Sequence, residues 1–316
     1  MKFVPLLMGV LPLLASCSLS GHLRPVGVFE IKDYGSPHEL VIVDDLLYVA
    51  GGHRGFYILD VSNPVRPTEI GAVEIPGFAD DVAVSGQYAY VVDRAKGLHI
   101  IDISEPAAPA EVGFLAEPSF QVAARGSFVY LITAEKGIRI IDVSNPSQPQ
   151  EAGFYQKEEW HCCLQIRDNY AYLTVEVAPG QTDLRILDIT TPTKPVEMGS
   201  ITATTYAFDL AVTENYAYIA YGNGFDILDI SDPSSPCLVT SQDTRGWEGV
   251  TEAIDAEGHL VYLSNLFDVQ AVDLSDPNKP RVMGSFDTDQ ARDVVVSDGY
   301  FYVAEDDGVY VFQVPD

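Results

Sequence analysis

Short apolar runs separated by turn residues fill the chain from about residue 25 onward. In one stretch, residues 81–85 carry valines two apart, a Gly-Gln turn follows, and residues 88–92 return as a second apolar run. Residues 98–103 and 110–115 form two more runs, with prolines between them. Such runs, with turn signals every 8 to about 12 residues, predict antiparallel strands. Beyond the first 22 residues, no segment shows the periodicity of an amphipathic helix.

This four-run unit recurs seven times. A tyrosine marks the second run of each copy, 40 to 46 residues from the next: Tyr48, Tyr90, Tyr130, Tyr172, Tyr218, Tyr262 and Tyr302. Six copies then carry hydrophobic-Asp-hydrophobic-Ser-x-Pro, with Thr190 replacing the serine once, at 59–64, 101–106, 141–146, 187–192, 228–233 and 272–277. Only the last copy departs, at 311–315. A period near 40 residues in a strand-rich chain is typical of propeller blades.

The predicted fold is all-β, a seven-bladed β-propeller of four-stranded antiparallel blades. Apolar residues occupy both faces of the first two runs, which fits sheets packed between neighbouring sheets. The seventh copy stops after three runs, whereas residues 25–31 resemble a fourth run. Gly27 there matches the glycine of five other copies, namely Gly71, Gly113, Gly153, Gly199 and Gly284. We therefore expect the N-terminal strand to complete the last blade and close the ring.

The hydrophobic-Asp-hydrophobic-Ser-x-Pro motif and the Gly-x-Tyr-Ala-Tyr hairpin together resemble the LVIVD repeat of bacterial and archaeal surface proteins. The resemblance covers residues 23–316. It implies a propeller fold and a location at the cell surface. The biochemical roles of that family are largely unassigned, so the resemblance implies little about chemistry.

The chain of 316 residues carries 46 acidic and 18 basic side chains, a net charge of −28. Nucleic acids are polyanions that need lysine and arginine for neutralisation, so we expect no nucleic-acid partner. A soluble surface outside the cytoplasm explains the acidity. A calcium-dependent role or a cationic ligand is the alternative.

Residues 1–16 contain Lys2, an apolar run to Leu14 and then small residues, which is the pattern of a secretory leader. Residues 14–17 resemble the bacterial lipobox, which implies cleavage before Cys17 and lipid attachment to its sulfur. Ser18, rather than aspartate, then implies sorting to the outer membrane in a Gram-negative host. We expect a leader at 1–16, a tether at 17–22 and one propeller domain at 23–316. Membrane contact is then through the lipid alone; a secreted protein is the alternative.

Three further cysteines, Cys162, Cys163 and Cys237, leave at least one thiol unpaired in an oxidising compartment. Cys162 and Cys163 either form a strained vicinal disulfide or remain as buried thiols. His161 beside them suggests a transition metal. However, adjacent strand residues point to opposite faces, so we expect no metal there.

Acids recur where the first run of a copy begins: Glu39, Asp81, Asp209 and Asp293. Either each carboxylate accepts backbone N–H bonds from the adjacent blade, or the four form a ring that binds a cation such as calcium. Cys163 and Ala253 interrupt that ring. The aspartates before the Ser-x-Pro turns are expected to cap nearby N–H groups.

Departures from the repeat indicate a ligand site better than its matches do. Blade four carries 158–163, Glu-Glu-Trp-His-Cys-Cys, and a long loop at 176–183. The copy that corresponds to blade six departs at 245–249, Arg-Gly-Trp-Glu-Gly. Candidate ligand contacts on the axial face are Phe78, Asp80, Trp160, His161, Tyr206 and Trp247. An aromatic rim with polar groups suits a sugar, a peptide or another amphipathic ligand. Alternatively, these rings plug the channel.

No nucleophile–base motif is present, so we name no catalytic residue and expect a binding module rather than an enzyme. The leading hypothesis is a lipid-anchored, extracytoplasmic binding or scaffolding module, monomeric, whose partner is a cell-envelope protein or a glycan. The first alternative is a calcium-assisted hydrolase or lactonase that uses acids at the axial mouth. The second is a passive structural surface protein.

Overall fold

A computed structural model describes residues 24–31, 35–133, 137–155, 160–203, 206–243, 250–265, 267–288 and 290–314, without the side chains of 160–162. The regular elements of these ranges are all β-strands, arranged as seven four-stranded antiparallel sheets. The first strand of every sheet contacts the first strands of both neighbouring sheets, so the sheets form a closed ring. The predicted seven-bladed propeller is confirmed.

Blades one to six are each continuous in the chain. The strands of blades one to three are β2 (Glu39–Val43), β3 (Leu46–Ala50), β4 (Phe56–Asp60), β5 (Thr68–Val73), β6 (Asp81–Ser85), β7 (Tyr88–Asp93), β8 (Gly97–Asp102), β9 (Ala110–Leu115), β10 (Ser119–Arg125), β11 (Phe128–Thr133), β12 (Ile138–Asp142) and β13 (Gln150–Tyr155). Those of blades four to six are β14 (Trp160–Arg167), β15 (Tyr170–Ala178), β16 (Gln181–Asp188), β17 (Val196–Ala203), β18 (Ala207–Val212), β19 (Tyr216–Tyr221), β20 (Gly224–Asp229), β21 (Cys237–Asp243), β22 (Ala253–Glu257), β23 (Leu260–Ser264), β24 (Asp268–Asp273) and β25 (Arg281–Asp287).

Blade seven joins the two ends of the chain. It consists of β26 (Asp293–Ser297), β27 (Tyr300–Glu305), β28 (Gly308–Gln313) and β1 (Gly27–Glu30). Strand β1 pairs antiparallel with β28, from Gly27 opposite Val311 to Glu30 opposite Gly308. The N-terminal strand therefore completes the last blade, as the sequence predicts.

The core lies between blades rather than within one. Phe56 and Ile58 of blade one pack against Val82, Val91 and Ile101 of blade two, and all five are buried. Equivalent clusters fill the other junctions. Each such side chain contributes about 1.5–3 kcal/mol by leaving water. A single blade would expose both of its apolar faces, so the blades depend on each other for stability.

The recurring glycine and the Ser-x-Pro turn meet at the outer edge of the ring, a contact that we call the rim seam. A Cβ atom on Gly71 would overlap the Pro106 carbonyl oxygen of the next blade, and one on Gly113 would overlap that of Pro146. Gly27 meets Pro64 in the same way across the ring closure. Glycine recurs there because the next blade's turn occupies the space of a side chain.

Blade four differs from the sequence prediction of a long loop at 176–183. Its second and third strands instead continue as a paired hairpin, with Glu176 opposite Thr182 and Ala178 opposite Gln181. The turn is reduced to Pro179 and Gly180, and Gly180 has a φ of 74°. The extra residues therefore lengthen the blade.

Candidate functional site

First strands begin and second strands end on the same face of the ring. The residues that lead into or begin the first strands lie around the axis on that face: 36–38, 78–80, 118–120, 206–208, 250–252 and 290–292. We call this region, with the adjoining turns between second and third strands, the axial mouth. Beneath it, the first strands line the channel.

Carboxylates beside the axis join neighbouring blades. Asp209 accepts the backbone N–H of Leu210 on its own strand at 2.7 Å and that of Ile254 on the next blade at 2.9 Å. Asp293 does the same with Val294 and, across the ring closure, with Leu40. We call these links axial bridges. They match the first interpretation of the recurring acids, in which each carboxylate holds the adjacent blade.

Five junctions carry an axial bridge, in which a side-chain oxygen accepts a backbone N–H of the next blade at 2.6–2.9 Å. The acceptor and donor residues are Asp81 and Val122, Gln121 and Leu164, Asp209 and Ile254, Asp255 and Val296, and Asp293 and Leu40. Blade four has Cys163 at the equivalent position, and the N–H of Cys163 donates to Thr174 Oγ1 at 3.0 Å. The fourth predicted acid, Glu39, lies in the same ring, close enough to Asp293 and Asp81 for mutual repulsion.

Asp255 is the member of this ring that sequence reasoning missed. Ala253 stands at the repeat position of the acids, and Asp255 follows two residues later. Because side chains on a strand share a face every second residue, Asp255 still points to the axis. Its bridge correspondingly reaches Val296, two residues beyond Val294. Allowing for this two-residue period would have identified it.

Burial and mutual repulsion oppose the charged form of these acids. Burial raises the pKa of Asp81 to about 8, that of Asp255 to about 7 and that of Asp209 to about 6, although each accepts two backbone N–H groups. Burial also raises the pKa values of Asp293 and Glu39 well above the usual range, with repulsion from Asp209 and from Asp293 respectively. The channel is therefore partly protonated near neutral pH.

Charged side chains occupy the mouth at blades seven, one and two. Arg94 donates from Nε to Asp80 Oδ1 at 2.8 Å, and Arg292 donates from Nε to Asp306 Oδ1 at 2.9 Å. His38 lies near both pairs, and burial together with Arg292 lowers its pKa. We call these five residues the charged half of the mouth.

Phe78 lies against the charged half. Its ring meets the rings of His38 and His53 edge-on, with centroids 4.7 and 4.8 Å away. Asp93 accepts the Phe78 backbone N–H at 3.0 Å and so fixes the segment. Phe78 therefore has a defined position beside two imidazoles.

Exposed apolar side chains occupy the mouth at blades five and six: Tyr206, Phe208, Val250 and Phe267, which we call the apolar half. Tyr206 is 53% exposed, Phe208 47% and Val250 40%. The pairing of β18 with β19 skips from Ala207 to Asp209, so Phe208 is the extra residue of a β-bulge. Bulges re-aim side chains. Blade three repeats the device with Phe120, which is also exposed.

Three of the six predicted contacts can be placed. Phe78 and Tyr206 lie at the mouth, where Tyr206 Oη donates to Glu176 Oε2 at 2.9 Å. Asp80 is buried, and its carboxylate positions Arg94. Trp247 and the side chains of Trp160 and His161 lie outside the described residues. Phe208 and Val250 were not among the sequence candidates, although both lie within three residues before the repeat position at which the acids recur.

Of the three cysteines in the propeller, the structure describes the side chains of Cys163 and Cys237. Cys163 is buried at the start of blade four, Cys237 is exposed, and the side chain of Cys162 lies outside the described residues. Among the described side chains, no group of three or more His, Cys, Asp or Glu is arranged to hold a metal ion. A search of the same residues for a helix long and apolar enough to cross a membrane finds none.

Comparison with known proteins identifies the repeat. A family model described as LVIVD repeat matches residues 35–74, 76–116, 119–157, 162–203, 205–244, 249–288 and 290–311. A search of curated proteins finds no match.

Among solved structures, U3-55K superposes with a TM-score of 0.71 at 11% identity, covering 92% of this chain and 100% of its own. A protein from Lactobacillus plantarum gives 0.69 at 13%, covering 85% and 88%. BamB from Moraxella catarrhalis gives 0.60 at 13%, covering 92% and 89%. At these identities the similarity shows the fold alone.

Proposed function

Because the chain belongs to the LVIVD-repeat family, we propose that it is an extracytoplasmic, lipid-anchored binding module that takes its ligand at the axial mouth. The observation that carries the proposal is the apolar half. Contiguous exposed apolar surface on a soluble protein marks an interaction site. The bulge at Phe208 supports this proposal, because it leaves a large ring 47% exposed directly after the buried Ala207.

The direction of the closing strand agrees with this arrangement. Glu30 pairs with Gly308 on the side of the mouth, and Gly27 pairs with Val311 toward the opposite side. The chain therefore enters the propeller from the face opposite the mouth. Cys17 precedes Arg24 by seven residues, which span at most about 25 Å. A lipid on Cys17 would hold the opposite face toward the membrane and leave the mouth free.

The anchoring is tested by growing cells that produce the full chain with a labelled fatty acid. We expect label on the wild-type protein and none on a Cys17→Ala variant, which should also leave the membrane fraction. Equal labelling of both proteins, or label on neither, would refute the anchor while leaving the binding site untouched.

The site is tested by placing a photo-crosslinking residue at Phe208 in cells. The matched control is Phe154, a phenylalanine that is 60% exposed on the outer strand of blade three, away from the axis. We expect a discrete cross-linked species from position 208 and none from position 154. No adduct at 208, or the same adduct at both positions, would overturn the assignment of the mouth.

A further inference from the structure

Two members of the apolar half, Phe208 and Val250, lie close together across the junction of blades five and six. An ideal Cβ atom built on Gly222 would lie 4.0 Å from Phe208 Cε2 and 3.9 Å from Val250 Cγ1, so these two side chains flank the same glycine. Tyr206 and Phe267 stand on the same face of blades five and six, and both are more than half exposed. A partner must therefore cover apolar atoms from adjacent blades.

The chain around this surface is strongly acidic. Between residues 195 and 278, which span most of blades five and six, the sequence contains 14 acidic residues and a single arginine or lysine, Arg245. Glu252 lies two residues after Val250, and Asp209 directly follows Phe208. About half of the 14 acids, such as Asp229 and Asp273, belong to turns on the opposite face. On the mouth side, the described residues of these two blades include Asp243, Glu252 and Asp268 and no arginine or lysine. Arg94 and Arg292 belong to the charged half of the mouth, where each pairs with an aspartate; Arg292 is also near enough to Glu252 to interact with it electrostatically.

We propose, building on the function proposed above, that the occupant of the apolar half is a protein segment that presents lysine or arginine beside apolar residues. Its apolar side chains cover Phe208 and Val250. Its basic groups face Glu252 and Glu176, and lie over the exposed rings of Tyr206 and Phe208, where cation–π attraction adds to the ion pairing. An acidic segment would instead meet like charges across the interface.

The test uses the propeller and three short synthetic peptides of equal length, labelled with a fluorophore. One alternates arginine with leucine, one alternates glutamine with leucine, and one alternates arginine with serine. Fluorescence anisotropy gives the dissociation constants. We expect the arginine–leucine peptide to bind at least about tenfold more tightly than either of the others. Its affinity should fall with added salt, because part of the attraction is between charges.

Variants locate the binding. A Phe208→Ser/Val250→Ser protein should lose at least about tenfold in affinity for the arginine–leucine peptide. A Phe154→Ser protein, which changes an even more exposed ring on another blade, should bind as the wild type does. A Glu252→Gln protein should weaken arginine–leucine binding and leave glutamine–leucine binding unchanged. Melting curves of all variants confirm that each protein is folded.

The outcomes separate this inference from the function on which it rests. If glutamine–leucine binds as tightly as arginine–leucine and the double variant abolishes both, the mouth stands as a binding site and the basic partner is refuted. If the double variant binds arginine–leucine like the wild type, the peptide is held elsewhere and both proposals fail. If arginine–serine matches arginine–leucine, the attraction is nonspecific and the inference fails.

Discussion

Neighbouring blades touch at two places, beside the axis through the axial bridges and at the outer edge through the rim seam. At the axis, Asp209 and its equivalents hold backbone N–H groups of the next blade by hydrogen bonds. At the rim, a glycine such as Gly113 leaves space into which the next blade's proline turn fits. One junction depends on charge and the other on shape, so acidity and packing should affect them differently.

The pKa of an aspartate side chain is also shifted in opposite directions at the two places. Beside the axis, burial raises the pKa of Asp209 to about 6 even though two N–H groups donate to it. In the rim turn, the Ser231 hydroxyl and N–H lower the pKa of Asp229, which faces solvent. Asp209 and Asp229 each accept two hydrogen bonds, but Asp209 is deeply buried beside the axis, whereas Asp229 is in contact with water. Desolvation therefore decides the sign of the shift where hydrogen bonds alone would lower it.

The largest effect is expected from breaking the rim seam. In Gly113→Ala, the new Cβ overlaps the Pro146 carbonyl oxygen, which belongs to the backbone and cannot rotate away. We expect a loss of about 3 kcal/mol or more in the free energy of unfolding, measured by urea denaturation. Gly284→Ala is the matched control, because nothing lies within 4 Å of its Cβ position. Equal losses in both variants would show that the rim contact is not the cause.

Breaking one axial bridge should lower the free energy of unfolding somewhat less than breaking the rim seam does. Asp209→Ala leaves the N–H groups of Leu210 and Ile254 without their acceptor. We expect a loss of about 2 kcal/mol in the free energy of unfolding. Asp209→Asn keeps one acceptor and should lose less. An unchanged unfolding midpoint for Asp209→Ala would show that the bridge does not hold the blades together.

Rising pH should weaken the axis and spare the rim. The axial acids have raised pKa values in the folded state, so the unfolded chain binds fewer protons between about pH 4 and pH 8 and stability falls as pH rises through that window. We expect a melting temperature about 3–5 °C lower at pH 8.5 than at pH 5.5. Calorimetry across pH measures it. Asp81→Asn should flatten this dependence, and a melting temperature that rises over the same range would contradict the assignment.

For the rim aspartates we expect stability to change with pH in the opposite direction, and we expect the smallest loss of stability on mutation. Their pKa values are lowered, so their contribution is complete above about pH 4 and is lost as pH falls below it. Asp229→Ala removes the acceptor of the Ser231 N–H at an exposed turn. We expect a loss below about 1 kcal/mol at neutral pH. Chemical denaturation at pH 7 and pH 3 tests this, since the difference between wild type and variant should shrink at the lower pH.

Repetition explains what the sequence could predict. The seven tyrosines in register were sufficient to predict the number of blades, because every copy must fold alike. Gly27, which matches the glycine of the other fourth strands, was sufficient to predict the ring closure. The acceptor role of Asp81 and the capping role of Asp60 also recur, so they could be predicted from position.

The mouth was harder to predict, because its features break the repeat. A β-bulge exposes Phe208, and nothing in the residue string separates a bulged strand from a regular one. The pairing of Asp80 with Arg94 joins residues of different turns, and only the folded chain brings them together. Asp255 escaped detection because its bridge moved two residues along the strand.

The closing strand also sets how the ring bears mechanical load. Strand β1 runs antiparallel to β28, and the chain before it leaves from the end where Gly27 faces Val311. A pull on that segment, directed away from the mouth, acts along the strand. It must slide β1 past β28 and break all four residue pairs together, along with the flanking Val26 and Ile31 hydrogen bonds. Tension applied through the N-terminus is thus met in shear rather than by peeling.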